Sequence, residues 1–371
     1  MFYFFLFFLF SLGQIGRISI MEYQINFYLY EILLFVFIAF LFSKFRFKPF
    51  LNKKIKWLYY FPLSLILSFL VTFYQYNQIE NLTAFLYLIR TSFYLISIIY
   101  LYYYANKQKD LEEYIKPGLI FFTLITLLTS FIQYFLYPNL RNLSYLGWDP
   151  HLFRIFGVFL DTSIASAIYG LILLFLIINY KKFTFSVFSK IILIISFVTL
   201  GLLTYSRGFY LSILTTLFFY FLISKKLKFI VVVLAMFTFA LLILPKPFGE
   251  GVNLLRTYSI ESRAKDYEEG LLIWKKNPVF GIGYNHLKSI RESNLSLPSH
   301  SASAYQSSFL TILVTSGVIG LIALAFALKN LWDINPNIKF YLMFLIVFSF
   351  MDNILLHPFI LFLLLFLVND S

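Results

Sequence analysis

The sequence predicts an all-α polytopic membrane protein of about twelve transmembrane helices, with one long, partly helical extracytoplasmic loop. Three observations carry that prediction. Of the 371 residues, 60% are hydrophobic and 13% are charged, and the mean hydropathy is +0.82, which is far too apolar for a soluble domain of this size. Apolar runs of spanning length recur along the whole chain, separated by polar clusters. The basic residues of the short loops alternate between rich and poor loops, as they do when a chain crosses a membrane repeatedly.

The runs fall near residues 1–14, 26–43, 57–73, 82–104, 117–136, 162–180, 189–205, 208–224, 228–245, 304–328, 338–351 and 353–368. The first, "MFYFFLFFLF", lacks the basic start and small-residue cleavage site of a signal peptide, so it is expected to stay as a span. The last two are short and joined only by "MDN", which suggests a tilted hairpin. No internal repeat is visible, so residues 1–371 are expected to form a single integral membrane domain, with residues 246–303 as the long loop within it. Cysteine is absent, which excludes disulfides and thiolate metal sites.

Five loops, at 43–56, 105–116, 180–190, 225–228 and 329–339, carry 17 of the 30 Lys and Arg residues. The positive-inside rule makes these cytoplasmic, and with them both termini. The 246–303 loop then faces outward. Lysine and arginine divide differently: 16 of 21 lysines fall in the cytoplasmic loops, whereas seven of nine arginines (17, 141, 154, 207, 256, 263 and 291) fall in the outward set. Arginine's planar fork binds phosphate bidentately and keeps its charge at a desolvated interface, so this set suggests recognition of a phosphate or diphosphate. The competing reading is that interfacial arginines snorkel to anchor helices.

Arg90, in "FLYLIRTSFYL", stands about nine residues inside a span, where an unpaired charge costs at least ~2.5 kcal/mol. It calls for a carboxylate, a phosphate or helix-end carbonyls, in a structural pair or a functional contact. In the outer loop, Ile260, Ala264, Tyr267, Leu271 and Trp274 keep the spacing of one helical face, with Ser259 as a candidate N-cap and Asn277-Pro278 as terminator. This predicts an amphipathic helix lying on the bundle or on the outer leaflet. The following "VFGIGYN" has two glycines suited to a tight turn or a close backbone approach. His300 stands in "LPSHSASAYQSSFLTILVTSGVIG", among hydroxyl residues at the mouth of a span. Gly317 and Gly320 in that span suggest close helix packing. Arg154 and Asp161 are expected either to line a cavity or to pair with each other. No cluster of Asp, Glu or His recurs at metal-ligand spacing.

Several of these stretches together resemble the O-antigen ligase and polymerase superfamily of bacterial membrane glycosyltransferases. "TYSRGFYLSIL" is similar to its serine-arginine-small triplet between two spans. "SRAKDYEEGLLIWKKNPVFGIGYN" is similar to its outer-loop pattern of an arginine, a tryptophan helix, a proline and a GxG. "HSASAYQSSFLTILVTSGVIGLI" resembles its histidine motif leading into a span with Gly-x-x-Gly, with Ser301 where asparagine is common. "FRIFGVFLDTSIASAIYG" and "GQIGRISI" fit earlier positions, and the matches occur in family order.

The resemblance implies a lipid-carrier-dependent enzyme of the bacterial cytoplasmic (inner) membrane. It would transfer a glycan from undecaprenyl diphosphate to an acceptor hydroxyl, of lipid A-core in a ligase, at the periplasmic face. It would work without a metal or other cofactor and without nucleic acid among its partners. Arg207 and Arg263 would hold the diphosphate leaving group and His300 would handle the acceptor's proton. Arg154, Arg256, Arg90, Asp161 and Ser206 would contact substrate, with Arg256 an alternative to Arg263. A polymerase, whose acceptor is another carrier-linked repeat, is the alternative within the superfamily. A flippase for lipid-linked glycans is the alternative outside it.

Overall fold

The structure is a computed structural model that describes residues 1–20, 25–108, 111–146, 148, 150–245, 250–254, 257–292 and 303–369. Each of the twelve apolar runs contains a helix. They are α1 (Phe2–Ser11), α2 (Leu29–Phe45), α3 (Trp57–Thr72), α4 (Gln78–Ala105), α5 (Leu111–Leu136), α6 (Thr162–Ile178), α7 (Val187–Leu203), α8 (Arg207–Ile223) and α9 (Leu227–Ile243), then α12 (Ser308–Trp332), α13 (Ile338–Ser349) and α14 (Pro358–Leu367). The loop between α9 and α12 contributes α10 (Tyr258–Lys276) and the short α11 (Leu287–Glu292). The chain is therefore an all-α membrane protein.

Among the described residues, four helical stretches, Trp57–Gln75, Gln78–Ala105, Leu111–Leu136 and Ser308–Trp332, are long and apolar enough to cross a membrane by length and composition. The other apolar helices are shorter. α1 and α14 have 10 residues each, about 15 Å of helix against a hydrocarbon core of about 30 Å. For α14 the shortfall has a physical reason: every residue from Phe359 to Leu367 is buried, so its environment is protein. α6 is similarly enclosed and packs on α7, α8, α13 and α14. α9 has no buried residue among its 17 and sits at the rim against α8.

A small antiparallel hairpin, β1 (Arg17–Ile20) with β2 (Ile25–Tyr28), departs from the all-helical expectation. Its register pairs Arg17 with Tyr28 and Ile18 with Phe27. It shortens the second apolar run, whose helix begins at Leu29 rather than near residue 26.

The lysine-rich connections meet at one end of the bundle. Lys182 bonds Glu112 at 3.1 Å, Lys116 donates to the Lys182 carbonyl, and Asn330 accepts from the Trp57 amide. Arg154, Arg207 and α10 belong to the opposite end, where α6, α8 and α12 begin.

α12 is broken at Gly317, whose φ of 64° and ψ of −166° are not helical. The break frees backbone groups that need partners at membrane depth. Residues 278–283 supply them: the Ile282 and Gly283 amides donate to the carbonyls of Val314 and Thr315 at 3.0 Å each, and the Val318 amide donates to the Pro278 carbonyl at 3.0 Å. Ser68 of α3 donates to the carbonyls of both Phe280 and Thr315. A Cβ on Gly281 would stand 2.5 Å from the Val314 carbonyl oxygen, and one on Gly317 would strike the Val279 carbonyl. The "FGIG" glycines thus serve a close backbone approach, and Gly317 marks a break in the helix rather than a helix-packing face.

Candidate functional site

The site is built where α8, α6, α10 and the turn between α13 and α14 meet. Ser206 is the N-cap of α8, its hydroxyl accepting from the Phe209 amide. That leaves Arg207 as the first helical residue, projecting from the helix mouth toward Leu254, whose carbonyl accepts from Nη1 at 3.5 Å. Gly208 follows because there is no room for more: a Cβ there would stand 2.6 Å from the Phe348 ring and 3.1 Å from Asp352 Oδ2. Each position of the serine-arginine-glycine triplet therefore has its own physical cause.

Arg263 reaches the same place from α10. Its Nη2 lies 3.5 Å from Asp352 Oδ2, and its Nε is buried with no hydrogen-bond partner among the described residues. The Arg263 charge acts repulsively on Arg207, so two guanidiniums share one neighbourhood. A buried donor without an acceptor, beside a second cation, is an arrangement that an anion completes.

Asp352 sits in the turn held on the start of α12. Ser307 caps α12 and donates to the Ser349 carbonyl at 3.2 Å. Ser308 accepts from the amides of Ile354 and Leu355 at 3.0 and 3.1 Å and donates to the Asp352 carbonyl. The Ser163 side chain lies close enough to the Asp352 carboxyl to favour its ionised form. Burial pushes the Asp352 carboxyl up to about 6; Arg263 and Arg154 oppose the shift and the Asp161 carboxylate adds to it.

Arg154 and Asp161 line the same region by different means. Arg154 is buried and donates from Nε to the Thr204 carbonyl at 2.7 Å, two residues before Ser206. Asp161 is the N-cap of α6, accepting from the Ser163 and Ile164 amides at 2.7 and 2.9 Å. Burial raises its carboxyl against those two bonds and the nearby Arg154 charge.

Arg90 belongs to another cluster. Its Nε and Nη2 bond the Glu31 carboxylate at 2.7 and 2.9 Å, and Nη1 donates to the Asn26 carbonyl. Glu31 also accepts from the Tyr94 hydroxyl and the Tyr28 amide. The carboxylate among the three partners open to Arg90 is thus the one found, and the pair ties α2 and the hairpin to α4.

His300 and Arg256 lie outside the described residues. The segment that follows His300 is tied to α10: Gln306 donates from its amide to Asp266 Oδ2 and from its side chain to Ser262, and Arg291 bridges Asp266 while covering the Tyr305 ring. His286 is stacked between Tyr76 and Phe69, with Nε2 beside Asn81. His357 caps α14.

α10 matches the expected helix, with Thr257 rather than Ser259 at the N-cap position. Asp266 and Gly270 are buried against the bundle, where Gly270 meets Leu310, while Ile260, Tyr267, Leu271 and Leu272 are exposed. The exposed side also carries Glu261, Lys265 and Glu268, while Ile273 and Trp274 pack inward against Leu310 and its neighbours.

Asp352 and Ser163 were not singled out from the sequence. The signal for Asp352 was present in "MDN", a carboxylate between two apolar runs, since an ionisable residue in such a place calls for a named partner.

Apolar helices enclosing a buried cluster of arginines and carboxylates at one end characterise a membrane-embedded protein. The O-antigen ligase family model matches residues 191–325, and the match supports membership of the chain in the O-antigen ligase superfamily, whose members are membrane glycosyltransferase-like enzymes acting on lipid-linked glycans. The matched stretch runs from α7 to α12 and contains Arg207, Arg263, the "FGIG" turn and Gly317. A search of curated proteins finds no match to the chain.

Proposed function

We propose that this protein is an O-antigen ligase-type glycosyltransferase that moves a glycan from undecaprenyl diphosphate to an acceptor hydroxyl of lipid A-core at the outer face of the bacterial inner membrane. The observation that carries this reading is the closeness of Arg207 and Arg263, the latter bearing a buried Nε donor with no hydrogen-bond partner among the described residues. In the reaction the acceptor oxygen forms a bond to the anomeric carbon of the glycan, and the bond from that carbon to the diphosphate oxygen breaks. Arg207 and Arg263 stabilise the charge growing on the departing diphosphate. His300, six residues before the anchored Gln306, takes the acceptor's proton. Arg154, Asp161, Asp352 and Ser206 hold these groups in place.

A flippase would also accommodate a broken span. Here the break in α12 is filled by the backbone of residues 278–283, which leaves no opening for a substrate at that point.

The test is deletion of the gene followed by analysis of what accumulates. Full-length glycan left on undecaprenyl diphosphate fits the ligase, single carrier-linked repeats would replace it by a polymerase, and material confined to the cytoplasmic leaflet would replace it by a flippase. Complementation with Arg207→Ala, Arg263→Ala or His300→Ala should restore the protein to the membrane without restoring glycan display. Normal display with any one of these variants removes that residue from the mechanism.

A further inference from the structure

The turn that carries Asp352 ends at His357, between the two polar clusters of the arginine end. Asp352 meets Arg263 at 3.5 Å, whereas the Arg90 charge acts on His357. The turn itself is held by its own backbone: the Ile354 amide donates to the Asp352 carbonyl and the His357 amide to the Ile354 carbonyl, at 3.1 Å each. Ile354, Leu355 and Phe359 are buried, but His357 is only partly so. Its ring therefore reaches space that its neighbours do not.

The bonds of that ring fix its chemistry. Nδ1 accepts from the Phe359 amide at 3.3 Å, which makes His357 the N-cap of α14. An imidazole nitrogen that accepts carries no proton, so the ring is neutral and its single N–H is on Nε2. Nε2 has no hydrogen-bond partner among the described residues. A cap alone needs only a short acceptor such as asparagine or serine, and the distal N–H is surplus to it. His286 differs, because its Nε2 is occupied by Asn81 and its ring is closed in by Tyr76 and Phe69.

We propose that His357 is a specificity-determining contact of the transfer reaction, its Nε2–H donating to a hydroxyl of the sugar that adjoins the diphosphate; the inference rests on the function proposed above. Guanidiniums outcompete a neutral imidazole for phosphate oxygens, which leaves His357 to an uncharged oxygen. The sugar joined to the diphosphate is the part of the donor that lies next to the Arg263–Asp352 end of the turn. A sugar whose hydroxyl points elsewhere leaves the N–H unpaired, so the contact discriminates between epimers.

The test uses full-length protein in phospholipid nanodiscs and two probes: undecaprenyl diphosphate, and the carrier-linked glycan extracted from the deletion strain. Two amide side chains divide the functions of the imidazole. Asparagine puts its oxygen where Nδ1 stands and keeps the cap, while glutamine reaches as far as Nε2 and keeps the donor. His357→Asn is expected to bind the carrier-linked glycan about tenfold more weakly, with undecaprenyl diphosphate changed by less than about twofold and the unfolding midpoint kept. His357→Gln is expected to lower the midpoint through its weaker cap, yet to stay within about threefold of the unmodified affinity for the carrier-linked glycan.

Unchanged affinity for the carrier-linked glycan in His357→Asn overturns the proposal and leaves the ring as a helix cap. Equal losses in the two variants overturn it too, because the distal donor is then not the group that is recognised. So does a loss in His357→Asn shared by both probes, which would mean that the change acts on the arginine cluster. If the unmodified protein binds neither probe, the reading of the cluster fails and the sugar contact falls with it. If it binds both with equal affinity, the cluster reading stands and the sugar contact alone fails.

Discussion

At the residue scale the Arg263–Asp352 pair, at 3.5 Å, joins α10 to the last hairpin of the bundle. The carboxyl is raised to about 6, chiefly by burial, so between about 4 and about 6 the folded protein holds a proton that the unfolded chain has released. The folded state binds more protons in that window, and stability therefore falls as pH rises through it and stays at the lower level above it. Asp352→Asn has no such proton, and its stability profile is expected to be flatter between pH 4 and 7 than that of the unmodified protein in unfolding measurements in detergent. Parallel profiles would mean that Asp352 does not titrate in this window. Above about pH 6 the asparagine variant also leaves Arg263 without its counter-charge, at a cost of roughly 1–3 kcal/mol, and donor turnover should fall. Of these residues, Arg207 and Arg263 were legible in the sequence because an arginine next to a span mouth stands out against lysine-rich loops. Asp352 was not, because its meaning comes from Gly208, Ser163 and Ser308, which lie 144, 189 and 44 residues away in the chain.

At the element scale, α12 and the 278–283 turn form one unit although about thirty residues separate them. Each element alone would be defective: a broken helix with unpaired carbonyls, and a loop of backbone donors without acceptors. Together they satisfy each other, and they fix the end of α10 that follows Arg263. Both Gly281 and Gly317 have positive φ, at 69° and 64°, so an alanine at either meets backbone strain of about 1–2 kcal/mol as well as the contact of its Cβ with facing backbone. Gly281→Ala and Gly317→Ala are each expected to lower the unfolding midpoint and expose the loop to protease, whereas Gly251→Ala, whose Cβ would meet only the Arg154 side chain at 3.3 Å, should be mild. Equal protease resistance in all three would show that the docked turn is dispensable. The helices were legible because period and apolar length specify them directly. The break in α12 was not: a Gly-x-x-Gly in an apolar run reads equally as a packing face, and only the facing backbone decides between them. The hairpin at 17–28 escaped for a related reason, since "RISI" alternates over too few residues to stand out beside a long apolar run.

At the scale of the whole molecule, charge is sorted by side-chain type along the bundle axis. Lysine loops meet at one end, through contacts such as Lys116 with Lys182, while Arg154, Arg207 and Arg263 meet at the other. Lysine is a compact, strongly hydrated charge that resists translocation, so the lysine end is assigned to the cytoplasm by the positive-inside rule. On that assignment the proposal places the arginine end outward, the side on which a carrier-linked glycan must be met if the proposed reaction is right. The sequence's lack of cysteine makes this orientation directly measurable, because any introduced thiol is the only one in the chain. Lys226→Cys marks the exposed turn between α8 and α9 at the lysine end, and Glu268→Cys marks the exposed side of α10 at the arginine end. A membrane-impermeant maleimide applied to intact spheroplasts should label Glu268→Cys, and Lys226→Cys only after permeabilisation. The reverse pattern would place the arginine cluster on the cytoplasmic side, where it could not act on an outward-facing donor, and would overturn the proposed function together with the topology.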